Sequence, residues 1–131
     1  MIVVDSSVWI DAFNAKKTVQ SLQLMALFGR KSIAIPDLAL TEVLQGARGD
    51  RQFQTIVRLL NTINVMPTTG ANVAVQAARN YRQLRTMGVT VRKTIDTLIA
   101  TRCILDGHEL LHSDRDFDPF VEHLGLRVVM A

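Results

Sequence analysis

The chain has 131 residues, 48% of them hydrophobic and 21% charged, which suffices for one domain over residues 1–131 and excludes wholesale disorder. Fifteen Lys and Arg against twelve Asp and Glu leave a net charge of +3, a slight basic excess that marks no partner by itself. Lone Cys103 rules out an intramolecular disulfide, the N-terminal apolar run is too short for a signal peptide, and no uncharged stretch nears the roughly 18 residues of a membrane span, so a soluble cytoplasmic protein is expected.

Ile2-Val3-Val4 is an unbroken β-branched run, the pattern of a short strand buried on both faces. It stops at Asp5, and Ser6 and Ser7 follow, hydroxyl residues suited to capping a helix. Val8, Trp9, Ala12 and Phe13 then recur at helical spacing. Thr18 is a cap for a second helix carrying Val19, Leu22, Leu24, Met25, Leu27 and Phe28, which Gly29 closes. Ile33-Ala34-Ile35 predicts a second strand ending at Pro36, and Pro36-Asp37 opens a third helix with Leu40, Glu42, Val43, Leu44 and Ala47. Asp50 is read as the cap of a fourth helix through Leu60, and Ile63–Met66 as a third strand stopped by Pro67. A long fifth helix spans Ala71 to Met87, with Arg79, Arg82 and Arg85 along one side, a pattern that most simply makes a solvated face. After a connector over Val89–Lys93, Thr94 is read as the cap of a sixth helix ending near Gly107. Glu109–His112 predicts the fourth strand, Asp118-Pro119 the cap and first residue of a short helix, and Arg127–Met130 a closing strand. Strands alternating with helices imply an α/β fold: a mainly parallel sheet of about five strands, with helices on both faces and right-handed crossovers.

Two acids, Asp5 and Asp114, follow the first and fourth strands. In a parallel sheet both strand ends lie on one edge, where open α/β sheets place their ligands, and the acids converge if those strands are neighbours. Asp96 heads the stripe Ile99, Ala100, Cys103; either it belongs to the same cluster or it is an exposed acid favoured by the helix N-terminus. Glu42 is either a further member or a solvated boundary residue, and Asp116 either joins them or faces water across its loop. Asp5 itself has the alternative of simply capping the next helix. Gathered together, these acids would raise one another's pKa values, a cost that a hard divalent cation removes, and oxygen ligands suit Mg²⁺ or Mn²⁺. Such an ion can activate water and hold a phosphodiester. With five acids drawn into one site, seven would remain against fifteen basic residues elsewhere, a surface suited to a polyanion.

The residues Ile2-Val3-Val4-Asp5-Ser6-Ser7-Val8-Trp9-Ile10, Leu40-Thr41-Glu42-Val43, Asp96-Thr97-Leu98-Ile99-Ala100 and Leu110-Leu111-His112-Ser113-Asp114-Arg115-Asp116-Phe117, in that order, resemble the PIN-domain nucleases and, within them, the VapC-like toxins of toxin–antitoxin pairs. The resemblance implies a three-layer α/β/α fold and Asp5, Glu42, Asp96 and Asp114 as a Mg²⁺-holding quartet, with Asp116 as accessory acid. Ser113 stands where Thr is frequent, and Thr101 where a small apolar residue is more usual. The resemblance further implies metal-dependent cleavage of RNA, a cognate antitoxin and a homodimer. Ser6, Arg92, Lys93 and Arg115 are the candidate substrate contacts, although Ser6 equally suits a helix cap. Trp9 and Phe13 are the first candidates for the partner surface, Trp9 being expected partly exposed, with Leu24, Leu27, Phe28, Phe53 and Ile56 behind them; for most of these a place in the core is the plain alternative. A phosphoacceptor receiver would need an Asp where Pro67-Thr68-Thr69 stands, and a haloacid-dehalogenase-like phosphatase an Asp at Ser7. The rival of another class is a non-catalytic RNA- or partner-binding module of the same fold, which has no use for concentrated acids.

Overall fold

The computed structural model describes residues 1–30 and 32–129. Its sheet contains β1 (Ile2–Val4), β2 (Ile33–Pro36), β3 (Asn64–Met66), β4 (Glu109–Leu111) and β5 (Arg127–Val128), in the spatial order β3-β2-β1-β4-β5. Every pairing is parallel. The β-branched first run therefore sits at the centre of the sheet, where both faces are covered, and Val3 and Val4 are fully buried. Met130, assigned by sequence to the closing strand, lies outside the described residues; Val129 extends β5 by donating its N–H to the Leu110 carbonyl at 3.0 Å.

Seven α-helices occur among the described residues: α1 (Ser6–Phe13), α2 (Val19–Leu27), α3 (Asp37–Gln45), α4 (Asp50–Leu60), α5 (Ala71–Thr86), α6 (Thr94–Asp106) and α7 (Asp118–Leu124), the last preceded by a 3₁₀ turn, Arg115–Phe117. The chain steps outward from β1 to β3 through α1–α4, then crosses back to β4 and β5 through α5–α7. Right-handed crossovers put these two groups on opposite faces, giving the three-layer α/β/α arrangement. Packing follows the same division, with α1 against α2 and α3, and α5 against α6 and α7.

Three helix starts fall one residue from their sequence assignments. The N-caps are Gly49, Lys93 and Phe117, so Asp50, Thr94 and Asp118 are already helical. Thr18 does cap α2, in a reciprocal pair with Ser21. Gly107 closes α6 at φ 71°, a left-handed conformation that glycine adopts without steric cost.

Trp9 corrects the expectation of partial exposure: it is 2% exposed. The helix starts directly at the end of β1, so its fourth residue folds back over the sheet. The indole N–H donates to the Val4 carbonyl at 3.2 Å, and the ring lies against Phe13 and Phe28 at centroid distances of 6.1 and 6.5 Å. Phe13 is half-buried. Apolar side chains left in solvent include Val19, Leu22, Met25 and Phe28 around α2 and Phe53 on α4.

Candidate active site

The central strand pairs with β2 on one side and β4 on the other, so the chain changes direction across the sheet at β1 and β4. Open α/β sheets bind ligands at the carboxyl edge of such a switch point. Asp5 leaves β1 there, its N–H donating to the Leu111 carbonyl at 3.0 Å, which carries the β1–β4 pairing one residue further. Its Oδ2 accepts from the Ser7 N–H at 3.1 Å and the Ser7 hydroxyl at 2.7 Å. Asp5 thus caps α1 with one oxygen, and capping and membership of the acid cluster are compatible. Its other oxygen, Oδ1, is sealed from solvent without a hydrogen-bond partner among the described residues.

From the other side of the edge, Asp114 follows β4, and its Oδ1 accepts from the Asp116 N–H at 2.9 Å, which turns the chain into the 3₁₀ segment and brings Asp116 alongside. Asp96 arrives on the first turn of α6. Ile99, Ala100 and Cys103 beneath it are fully buried, so this stripe packs inward and holds Asp96 at 4% exposure. The exposed helix-N-terminal alternative is thereby excluded. Carboxylate oxygens of Asp96, Asp114 and Asp116 lie within 4.8 Å of one another. Asp5 and Glu42 flank this tight group rather than belong to it. Glu42 is half-buried on α3, and its Oε1 accepts from the Ser6 hydroxyl at 3.1 Å. Ser6 therefore ties α1 to α3, whereas Asp5 provides the cap.

Lys93 explains why those three acids gather. Its ammonium lies 2.8 Å from Asp114 Oδ2, 3.6 Å from Asp96 Oδ2 and 3.6 Å from Asp116 Oδ2. Arg92 pairs with Asp116 at 3.2 Å from a side chain that is 80% exposed. Arg115 is exposed at the start of the 3₁₀ turn. Of the basic residues proposed for substrate contact, two are thus engaged with carboxylates and one stands in solvent.

The charges perturb one another as burial and proximity require. Burial pushes the Asp96 carboxyl up to about 7; Lys93 opposes this, while Asp5, Asp114 and Asp116 add to it. Glu42 is raised as well, chiefly by burial, against the hydrogen bond from Ser6. Burial also acts to raise Asp114, but the Lys93 ammonium and the Asp116 N–H outweigh it and hold the carboxyl below its usual range. Lys93, in return, is held protonated by its bond to Asp114.

Two site residues escaped the sequence reasoning. Ser7 bridges the strand ends, because its hydroxyl donates to Asp5 and accepts from the Ser113 N–H at 3.2 Å. Its position, two residues after a strand-ending Asp, was the available signal. His112 accepts the Asp114 N–H on Nδ1 at 3.2 Å and rests against Phe117 at 4.9 Å, shaping the turn that aims Asp114. Burial lowers its pKa, consistent with the neutral acceptor this geometry needs. Nothing in the sequence distinguished it from a surface histidine.

The donor set is chemically suited to a hard divalent cation. It is all carboxylate oxygen, and two of those oxygens, Asp5 Oδ1 and Asp96 Oδ2, are buried without hydrogen-bond partners among the described residues. An orphaned buried carboxylate oxygen costs free energy that a cation would restore.

The PIN domain family matches residues 2–121. The chain is 33% identical over 120 residues to Ribonuclease VapC11 of Mycobacterium tuberculosis, an alignment covering 90% of each protein. Among solved structures it is similar to the complex VapBC2 from Rickettsia felis bound to a promoter DNA fragment, with a TM-score of 0.75, 19% identity and 98% coverage of both chains. It is also similar to VapC20 of Mycobacterium tuberculosis, described as a Sarcin-Ricin loop cleaving toxin, with a TM-score of 0.70, 20% identity and full coverage of both chains.

Proposed function

The chain belongs to the PIN domain family, and from that premise we propose that it is a metal-dependent endoribonuclease, a VapC-type toxin that hydrolyses RNA phosphodiester bonds and is neutralised by a cognate antitoxin. The activity of the ribonuclease relative that aligns over 90% of its length supports the reaction class. The observation that carries the site is the pair of buried oxygens without hydrogen-bond partners among the described residues, Asp5 Oδ1 and Asp96 Oδ2, at the carboxyl edge of the sheet beside Asp114 and Asp116. A non-catalytic binding module gains nothing from such orphaned acids. The family match over residues 2–121 supports one domain over residues 1–131, and the homodimer implied by the resemblance is part of the same proposal.

In this reading Asp5, Glu42, Asp96 and Asp114 would hold Mg²⁺ or Mn²⁺, with Asp116 as accessory acid. When bound, the cation supplies Lewis-acid polarisation of the phosphodiester and activation of the attacking water. Ser7 fixes the Asp5 carboxylate through Oδ2 and leaves Oδ1 for the ligand. Ser6 orients Glu42, whose carboxyl burial raises above its ordinary value. Arg92, Lys93 and Arg115 lie beside the acids in the chain and supply positive charge for the RNA backbone. Among the described residues no helix is long and apolar enough to cross a membrane.

Incubating purified protein with RNA in Mg²⁺ and in EDTA tests the proposal. Endonucleolytic products are expected with Mg²⁺ only, and co-purified antitoxin is expected to suppress them. Equal cleavage in EDTA overturns the metal dependence, and no cleavage of any RNA under either condition overturns the catalytic reading.

A further inference from the structure

The acid group drawn tightest, Asp96, Asp114 and Asp116, is assembled around an ammonium of the chain itself. Lys93 reaches all three carboxylates within 3.6 Å, and its backbone is held at the N-cap of α6, three positions before Asp96. Asp5 and Glu42 are left outside the tight group. Two oxygens stay buried without a hydrogen bond among the described residues even so: Asp5 Oδ1, and Asp96 Oδ2, which at 3.6 Å from the ammonium is only an ion-pair neighbour. Lys93 thus serves three carboxylates, with Arg92 reaching Asp116 alone, and leaves two buried oxygens without hydrogen bonds. A divalent cation drawn to the same oxygens would meet an ammonium already standing among them, at a separation where like charges repel strongly.

We infer that Lys93 is a built-in counter-cation that occupies the acid cluster before metal binds, is displaced from it by the metal, and thereby lowers the protein's affinity for divalent cations. The inference rests on the reading of the cluster as a metal site. The side chain is 52% exposed, so rotation out of the cluster costs little packing. Once turned outward it stands at the rim of the site, with Arg92 next to it. The ammonium therefore keeps the cluster compact without metal and ties occupancy of the site to the ambient divalent-cation concentration.

The test measures Mn²⁺ binding to the full chain by calorimetry at neutral pH for wild type, Lys93→Met and Lys93→Arg. Lys93→Met should bind Mn²⁺ more tightly, on the order of tenfold, because a charge is removed beside the incoming ion. It should also melt at a lower temperature without metal. Lys93→Arg keeps the charge and should bind within about twofold of wild type. A residue that merely supported the structure would weaken metal binding when removed. Lys93→Met binding Mn²⁺ equally or more weakly than wild type overturns the inference, as does Lys93→Arg binding as tightly as Lys93→Met. Should neither wild type nor Lys93→Met bind Mn²⁺, the metal-site reading fails and the inference falls with it. A second readout is the ¹⁵N-labelled lysine ammonium signal. The Lys93 resonance should be protected in metal-free protein and lost to solvent exchange at saturating Mg²⁺, and a resonance unchanged by Mg²⁺ overturns displacement.

Discussion

Asp96 carries the sharpest consequence at the scale of single residues. Its carboxyl is pushed up to about 7 by burial, with Lys93 offsetting part of the effect and Asp5, Asp114 and Asp116 adding to it, against 3.8 for the ordinary group. The folded state consequently holds this proton more tightly than the unfolded chain does. The group's contribution to stability is full below about pH 4 and is lost as pH rises towards 7. Asp114 has the opposite sign: its lowered pKa contributes stability above its ordinary value and loses it as pH falls through the folded one. Metal-free Asp96→Asn should lack the decline between pH 4 and 7 and melt higher than wild type at neutral pH; a gain of about 1 kcal/mol corresponds to roughly 3–6 °C. Thermal melts at several pH values check this, and a lower melting temperature for Asp96→Asn at neutral pH contradicts the repulsion. Asp5, Asp114 and Asp96 were legible in the sequence because each sits where a strand ends or a helix begins, and the Ile99, Ala100, Cys103 stripe marked the inward face beneath Asp96. Glu42 lies further along α3 and carried no such local signal. Nor were the acids' partners legible. Whether Lys93 turns to the acids or to solvent, and whether Ser7 spans to Ser113, depends on which strands are neighbours.

At the scale of elements, α1 is the joint between core and site. Its Trp9 fills the space above β1 and satisfies the Val4 carbonyl, while its first turn carries Ser6 and Ser7. Trp9→Ala should cost about 3–5 kcal/mol through the cavity left behind, measured by denaturant unfolding, and lower partner binding and RNA cleavage together. Loss of partner binding with stability unchanged would instead place the side chain at an interface. Ser7→Ala removes the bridge between the ends of β1 and β4. It should cost about 1–2 kcal/mol and slow cleavage while Mn²⁺ still binds. The strands and helices were readable from periodicity and from Pro and Gly punctuation, but helix starts were misplaced by one residue at Gly49, Lys93 and Phe117. A cap and a first helical residue differ in backbone dihedral angles, and Asp or Thr suits both positions. Trp9 was misjudged for a related reason: a helix pattern gives the apolar face, not the depth at which that face lies over the sheet.

Over the whole molecule, the order β3-β2-β1-β4-β5 turns separated sequence motifs into one site. Alternating strands and helices announced a parallel sheet, but nothing local fixed β1 beside β4, since strand neighbours are chosen by crossover packing. Of the apolar residues that the core leaves outside, Val19, Leu22 and Met25 share α2 and Phe53 lies on α4, with Met25 69%, Leu22 56% and Phe53 39% exposed. Others, such as Val75 and Leu105, are dispersed over α5 and α6. We propose that an amphipathic antitoxin segment docks on the exposed apolar residues of α2, with Phe53 of α4. Met25→Glu together with Phe53→Ser should weaken antitoxin capture at least tenfold, with RNA cleavage within twofold of wild type; retained capture excludes this face. Arg79, Arg82 and Arg85 lie exposed along α5, as expected of a solvated stripe. The central claim is that the edge shared by β1 and β4 performs the chemistry, and single-turnover RNA cleavage in Mg²⁺ by wild type and Asp5→Asn tests it most directly. Asn can still accept the Ser7 hydrogen bonds and preserve the cap, so circular dichroism should be unchanged. The rate should fall by at least about a hundredfold, a loss typical of removing a group that stabilises charge in the transition state. A folded Asp5→Asn variant that cleaves at the wild-type rate would contradict the account.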